Sequence, residues 1–329
     1  MMQAVLQFAP GGADTLKIGE TAKPVIGPGQ LLVRVHAAGV NRADIVQREG
    51  RYPAPPGASS LLGLEVAGVV VELANDVSGF AIGDAVFGLV AGGGYAEYVV
   101  LDAACAIAKP QWLDFEQAVT LPEAWMTAWL NLVEIAQLEA GESVLIHAGA
   151  SSVGATAIQL AGMVGAKAFA TAGSTDKVRF CRELGVAVGI DYKTQDFGEV
   201  VAAEGGVDVI LDCIGGAYLN RNIASLKADG RLVTIGLMGG ASAQLDMGRL
   251  LVKRLTVRGS TLRPQPLGVK ARLTEAIRSQ VLPALESGKI RVTLDAIFDW
   301  RDVAEAHRYI EASKNLGKVV LRVMETGKA

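Results

Sequence analysis

His147-Ala148-Gly149-Ala150-Ser151-Ser152-Val153-Gly154 is the stretch whose reading decides the fold. Before it, Ser143 to Ala148 is a short apolar run bounded by polar residues, the pattern of a parallel strand buried on both faces. After it, Val153 to Val164 reads as a helix. The turn keeps the outer glycines of G-x-G-x-x-G and carries Ser151 in the middle. In such a turn Gly149 permits the tight bend, the middle residue must let the backbone approach a pyrophosphate, and Gly154 lets helix and strand pack closely. The helix N-terminus offers unpaired N–H groups and partial positive charge to the phosphates, and the Ser151 hydroxyl is a further donor. The same residues also describe a strand-to-helix turn that binds nothing. The strand–turn–helix context, with a further strand at Lys167 to Ala172, favours the nucleotide.

Working outward, strands and helices alternate from about Glu123. A helix is predicted at Thr175 to Leu184, with strands at Ala187 to Ile190, Val207 to Asp212, Arg231 to Gly236 and Leu255 to Ser260. This alternation predicts βαβ units and a doubly wound parallel sheet. Up to about Pro122 the rhythm differs. The β-like runs Leu31 to Val40, Glu65 to Leu73 and Tyr95 to Leu101 are separated by loops such as Tyr52-Pro53-Ala54-Pro55-Pro56-Gly57 and Gly92-Gly93-Gly94, predicting a mainly antiparallel, partly closed β domain. Beyond Arg263-Pro264-Gln265-Pro266, one helix is predicted from Val269 to Ser287, stopping at Gly288, and Lys318 to Val323 reads as a final strand. The C-terminal segment is read as rejoining the first domain. Residues 1–123 and 265–329 then form one domain, and 124–264 an inserted Rossmann domain.

The cofactor is read from the end of the second strand of that domain. A unit for NAD places Asp or Glu about 20 residues past the glycines, on the ribose 2′-hydroxyl. Here Ala172 stands in that place, followed by Gly173, Ser174, Thr175, Asp176 and Lys177. Glycine, small hydroxyls and a lysine at a helix start suit a 2′-phosphate, so NADPH is expected. Asp176 reads as a dipole or capping residue of the helix, and Tyr192 as a further phenolic donor to the same phosphate.

Composition narrows the field. The 329 residues carry a formal net charge of −3, which gives no electrostatic case for nucleic acid. The three cysteines, Cys105, Cys181 and Cys213, are widely spaced and odd in number, so a reducing compartment is expected. Met1 to Phe8 has no cationic start, and no apolar run reaches the roughly 18 residues of a membrane span. The expectation is a cytoplasmic protein with no membrane partner.

Several further runs carry a family resemblance: Gly39-Val40-Asn41-Arg42-Ala43-Asp44, Gln47 to Tyr52, Pro55 to Ser59, Leu121 to Trp125, Leu211 to Gly216 and Gly236 to Gly240. Over nearly its whole length the chain resembles the medium-chain dehydrogenase/reductase superfamily, in its zinc-free quinone oxidoreductase branch, and is most similar to the tumour-suppressor-induced type. The resemblance implies a GroES-like catalytic domain, an inserted Rossmann domain, NADPH, a homodimer and NADPH:quinone oxidoreductase activity. The positions that hold catalytic zinc in other members match Asn41, Leu64 and Glu123. Leu64 cannot ligate a metal, none of the three positions carries a thiol and the chain holds only three histidines, so no metal is expected.

Without a Lewis acid, an electron-poor acceptor such as a quinone or enone is the favoured substrate, because hydrogen-bond donors suffice for its developing oxyanion. The resemblance places Asn41, Tyr52 and Thr127 near the nicotinamide as candidate catalytic residues. Tyr52 is alternatively a surface phenol, and Thr127 a hydroxyl bonded back to its helix. Glu123 either orients Asn41 or serves a helix N-terminus. Candidate cofactor-binding residues are Gly149, Ala150, Ser151, Ser152, Val153, Gly154, Gly173, Ser174, Lys177, Tyr192, Cys213, Leu237 and Met238. By resemblance, Asn315 and Lys318 join them on the NADPH phosphates. Cys213 is equally a buried thiol, Lys318 a strand-edge charge, and His147 reads as packed into the strand–helix junction. Two rivals stand beside the reductase: a 2-enoyl thioester reductase, and an NADPH-binding sensor or structural protein without turnover. The Leu255 to Ser260 strand is the sheet edge available for pairing in a homodimer.

Overall fold

A computed structural model describes residues 1–324. The chain divides into two compact units: Met1–Met126 with the chain from Arg263 onward, and Thr127–Leu262.

The first unit is organised on one long strand, Gln30–Val40. Its N-terminal half pairs antiparallel with Tyr98–Asp102, its C-terminal half with Lys318–Arg322, and both halves with Glu65–Leu73. Two register shifts against Glu65–Leu73 let one strand serve three partners. Ala85–Leu89, Ala106–Ala108 and Leu294–Asp299 complete a seven-stranded sheet. It is an open path with Tyr98–Asp102 branching off it, where the sequence suggested partial closure. Leu31, Val33, Val35, Val66 and Trp300 form the centre of the core and are buried almost completely. Register positions the chemistry here. Val319 pairs with Val40, which sets Lys318 beside Asn41.

Tyr95, expected to open a strand, lies instead after the glycine loop and is buried, while its strand begins at Tyr98. The predicted Val269–Ser287 helix is broken into Leu267–Ala276, a π-helical turn at Ile277–Val281, and Leu282–Glu286. Pro283 lacks an N–H and crowds the preceding turn, which accounts for the widened turn before it. Gly288 then ends the helix with φ +72°.

The second unit is a six-stranded, all-parallel sheet. Its order is Val188–Asp191, Lys167–Ala172, Ser143–Ile146, Val207–Asp212, Leu226–Thr234, Thr256–Gly259. The first strand in sequence thus lies in the middle, and the winding reverses between Ser143–Ile146 and Val207–Asp212. That reversal is where doubly wound sheets bind ligands. Leu145, Phe169, Ile190, Ile210 and Leu232 fill the core. Among the described residues, no helix is long and apolar enough to cross a membrane.

Candidate active site

The polar centre of the first unit is a buried network of side chains. Asn41 precedes the helix Arg42–Arg48 and closes a capping box with Asp44. The Asn41 backbone N–H donates to Asp44 Oδ2 at 2.8 Å, and its Nδ2 donates to Glu65 Oε1 at 2.8 Å. Lys318 Nζ donates to Asn41 Oδ1 at 2.7 Å and pairs with Glu65, both side chains being fully buried. Glu65 Oε2 accepts the Glu123 backbone N–H at 2.8 Å. Gly39 is required opposite, because a Cβ there would strike the Glu65 carboxylate.

The network continues inward. Asp44 accepts from the Gly63 N–H at 3.0 Å and from the Tyr95 hydroxyl at 3.2 Å. Tyr95 Oη lies 3.4 Å from His307 Nε2, and Arg48 lies 3.3 Å from His307 Nδ1 and pairs with Glu311. Burial shapes each titration. It lifts the Asp44 carboxyl to about 6 against the pull of its hydrogen-bond donors. Burial, then the charge of Glu65, raises Glu123 to about 8. His307 is lowered to about 3 by burial and by Arg48, so its ring is neutral. Burial, then Glu123, raises the Tyr52 hydroxyl, which therefore keeps its proton. Tyr52 is partly buried under the Arg263 guanidinium.

The second unit builds its site from backbone. The helix Ser152–Val164 starts at the sheet reversal, and Ser151 caps it by accepting the Gly154 N–H at 3.0 Å. The first N–H groups of a helix lack intrahelical acceptors, so Ser152 and Val153 present theirs at the turn beside Ala150. The glycines act through space rather than through unusual dihedrals. A Cβ on Gly149 would lie 2.7 Å from the Ala170 Cβ, and one on Gly154 would strike the Ala148 carbonyl. The left-handed residue of the turn is Ala148, at φ +53°. His147, Ser151, Val153, Gly154 and Cys213 line a small cavity here. Asp212 holds the neighbouring strand end by accepting the Ile214 and Gly215 N–H groups, and burial raises its carboxyl to about 6.

At the end of Lys167–Ala172, Ser174 caps the next helix by accepting the Lys177 N–H at 3.3 Å. The capping role considered for Asp176 belongs to Ser174, and Asp176 pairs instead with Arg179 at 2.8 Å. A Cβ on Gly173 would lie 2.6 Å from the Tyr192 hydroxyl, so a bare backbone underlies that phenol. These features fit a nicotinamide dinucleotide, with helix N–H groups at the sheet reversal for its pyrophosphate.

Among the other expected residues, Lys318 is the one placed differently. Lys318 does not extend toward a phosphate; its ammonium is held between Asn41 and Glu65. Asn315 Nδ2 donates to the Gly317 carbonyl at 2.9 Å, shaping the turn before the last strand. Thr127 belongs to the second unit, and its carbonyl accepts from Asn131 at 2.7 Å. Leu237 and Met238 are exposed after the strand Leu226–Thr234. His147 is buried, 3.0 Å from Thr171 and 2.8 Å from Asn222, with burial lowering it to about 4. Its packing at the strand–helix junction agrees with the sequence reading. Sequence reasoning passed over Glu65, Tyr95, His307, Arg48 and Arg263. Only Asp44, three residues after Asn41, carried a local signal.

Among the described residues, no group of three or more His, Cys, Asp or Glu side chains is arranged to hold a metal ion.

Two family models match: the alcohol dehydrogenase GroES-like domain over residues 27–111, and the zinc-binding dehydrogenase model over residues 152–278. The synaptic vesicle membrane protein VAT-1 homolog of Rattus norvegicus is 32% identical over 330 residues, covering 94% of this chain and 81% of that protein. The spectinabilin polyketide synthase system protein NorB of Streptomyces orinoci is 36% identical over 96% of this chain, which spans only 14% of that protein. Among solved structures, the quinone oxidoreductase from Coxiella burnetii superposes with a TM-score of 0.81 at 30% identity, covering 98% of this chain and 99% of that one. CurK enoyl reductase gives 0.85 at 28% identity, with 98% and 99% covered. The mycobacterial protein Rv1454c, solved with NADPH, gives 0.87 at 26%, with 98% and 100% covered. Fold, site and relatives together define an oxidoreductase built from a GroES-like and a Rossmann domain. The chain belongs to the medium-chain dehydrogenase/reductase superfamily, in its quinone oxidoreductase-like branch.

Proposed function

We propose that this chain is a zinc-independent oxidoreductase that uses NADPH to reduce quinones or other conjugated carbonyls. The observation that carries the reading is the end of the strand Lys167–Ala172. Ala172 stands where an acid would hold a ribose 2′-hydroxyl, Gly173 lies bare under the Tyr192 phenol, and Ser174 and Lys177 open the next helix. Bound there, NADPH supplies a hydride. Ser152 and Val153 hold its pyrophosphate at the helix N-terminus, and Gly149 and Gly154 keep the turn close. Leu237, Met238 and Cys213 flank the same end of the sheet.

Zinc independence rests on the donor set. Leu64 offers no ligand, and the Asn41 amide is already committed to Glu65 and Lys318. The acceptor's oxygen is then stabilised by hydrogen-bond donors, which suffices for conjugated carbonyls. Tyr52, its proton held by burial, serves as a donor rather than a base. The partner is a second copy of the chain. The edge strand Thr256–Gly259 is exposed along its whole length, and Leu251 and Val252 of the preceding helix are 78% and 76% exposed. Unpaired buried thiols at Cys105 and Cys181 suit a reducing, cytoplasmic setting.

Steady-state assays test the reading. NADPH should be preferred over NADH by about tenfold or more, the worth of a charge-assisted phosphate contact. Quinones and enones should turn over after exhaustive chelation. Simple alcohols oxidised faster than quinones are reduced would overturn it. Preference for enoyl thioesters would favour the rival that the CurK similarity supports, and cofactor binding without any turnover would favour a sensor. Lys177→Ala should weaken NADPH far more than NADH; equal losses would remove Lys177 from the 2′-phosphate site.

A further inference from the structure

The strained residue of the glycine turn is held by buried side chains of the second unit. Ala148 stands at φ +53°, a left-handed conformation that is costly for any residue with a Cβ. Its carbonyl accepts the Ser151 N–H at 2.9 Å, and its own N–H donates to Thr171 Oγ1 at 3.3 Å. The Thr171 carbonyl accepts the next N–H, that of Gly149, at 2.8 Å. One threonine on the neighbouring strand Lys167–Ala172 thus pins two successive residues of the turn.

The same hydroxyl lies 3.0 Å from His147 Nδ1, and His147 Nε2 lies 2.8 Å from Asn222 Oδ1. All three side chains are buried. An amide oxygen only accepts, so the ring hydrogen sits on Nε2. Burial lowers His147 to about 4 and so keeps its ring neutral, which leaves Nδ1 bare. Nδ1 takes the single hydroxyl hydrogen of Thr171, and a lone pair of Oγ1 is left facing the Ala148 N–H. Each bond fixes the direction of the next: Ala148 gives to Thr171, Thr171 to His147, and His147 to Asn222. Phe197 and Tyr218 pack edge-on against the imidazole, each with its ring centroid 4.8 Å away, and hold its plane. Without the ring, the Thr171 hydrogen is free to swing toward the Ala148 N–H, and the left-handed residue loses its acceptor.

We propose that His147 is a positioning residue for the dinucleotide: through Thr171 it holds Ala148 in its left-handed conformation, so that the N–H groups of Ser152 and Val153 stand in place for the pyrophosphate. This rests on the cofactor reading above and gives a role in it to a buried histidine that the reading left idle. His147 touches neither cofactor nor acceptor. Holding the turn before the ligand arrives removes an ordering cost from binding. The pyrophosphate is common to NADPH and NADH, so His147 serves both alike, whereas Lys177 separates them.

The test is His147→Phe in the full-length protein, which keeps a packed ring and removes Nδ1. Fluorescence titration should show NADPH and NADH each weakened by about tenfold, the scale of one lost hydrogen bond. Adenosine 2′-monophosphate, which has no pyrophosphate, should bind within about twofold of wild type by calorimetry. Dinucleotide affinities within about twofold of wild type would overturn the assignment, and so would an equal loss for the mononucleotide, which marks general damage. His147→Asn sets an amide oxygen near the place of Nδ1 and should restore much of the affinity; an asparagine no better than phenylalanine counts against the proposal. Should His147→Phe fail to fold, Thr171→Val removes the hydroxyl alone and should give the same pattern of losses. Where both single variants fold, the double variant should bind no more weakly than the weaker single one, and additive losses would show that the two residues act separately. If the wild-type protein binds neither dinucleotide, the cofactor reading fails and takes this proposal with it; if it binds both and the variants bind as well, only the role of His147 falls.

Discussion

The two polar regions of this chain are made by opposite means. Around Asn41, a buried centre is assembled from side chains far apart in sequence; Lys318 and Asn41 are 277 residues apart. Around Gly149, the site is backbone at one strand–helix junction, tuned by small residues and a cap. The first spends buried charge on positioning a few atoms. The second exposes N–H groups that any helix start possesses. A side-chain centre of the first kind is fragile to single substitutions, whereas a backbone site is fragile mainly to added volume.

The sharpest way to break the contrast is Lys318→Met. It leaves Glu65 buried without its cation, and removal of one partner from a buried pair costs about 3–5 kcal/mol. Urea unfolding should register that loss, and Lys318→Met with Glu65→Leu together should recover much of it. A loss below about 1 kcal/mol would mean that water reaches Glu65.

Next comes pH. Glu123 titrates near 8 in the native state, above its unfolded value. Between those values the native chain holds a proton that the unfolded chain has released, so stability falls as pH rises toward 8. Below about 6.5 the buried neutral His307 opposes this trend and Asp44 reinforces it. From about 6.5 to 8 Glu123 stands alone among the three, and the first unit should lose about 2 kcal/mol. In the second unit, Asp212 and His147 offset one another between about 4 and 6, and neither titrates above about 6.5. Hydrogen exchange in Gln30–Val40 should therefore quicken with pH beyond its chemical trend, and exchange in Ser143–Ile146 should not. Glu123→Gln should abolish the difference.

Smaller effects test the backbone site. Gly173→Ala places a methyl against the Tyr192 hydroxyl, and should weaken NADPH by about tenfold, roughly 1.4 kcal/mol, with little change in thermal stability. Ser151→Ala removes the helix cap and should cost about 1 kcal/mol in unfolding free energy. If Ser151→Ala instead exceeded Lys318→Met, the contrast between the regions would be reversed.

This difference in construction also governs what the sequence revealed. The parallel sheet, its glycine turn and the cap-and-lysine start at Ser174 to Lys177 were legible because each is local, written within a few residues. The role of Lys318 was not. Its ammonium meets Asn41 through strand register, and nothing near residue 318 announces that pairing. Tyr95 read as a strand residue because it opens a β-like run that ends at Leu101; a long-range contact to Asp44 decides its place. Arg263 sits beside two prolines in a segment that read as a boundary. Its bonds to Ala91 and Gln47 span 172 and 216 residues, and nothing near residue 263 announces them.

The bond between Lys318 and Asn41 has a consequence for biosynthesis. A ribosome delivers Asn41 and Glu65 early and Lys318 after more than 250 further residues. Until then Glu65 has no cation to accompany it into a dry interior, so the sheet around it stays unfinished. The segment 127–262 has emerged complete by that time, with its strands and helices close neighbours in sequence. The nascent chain should therefore mature the segment 127–262 before the sheet around Asn41 and Glu65, which waits for Lys318.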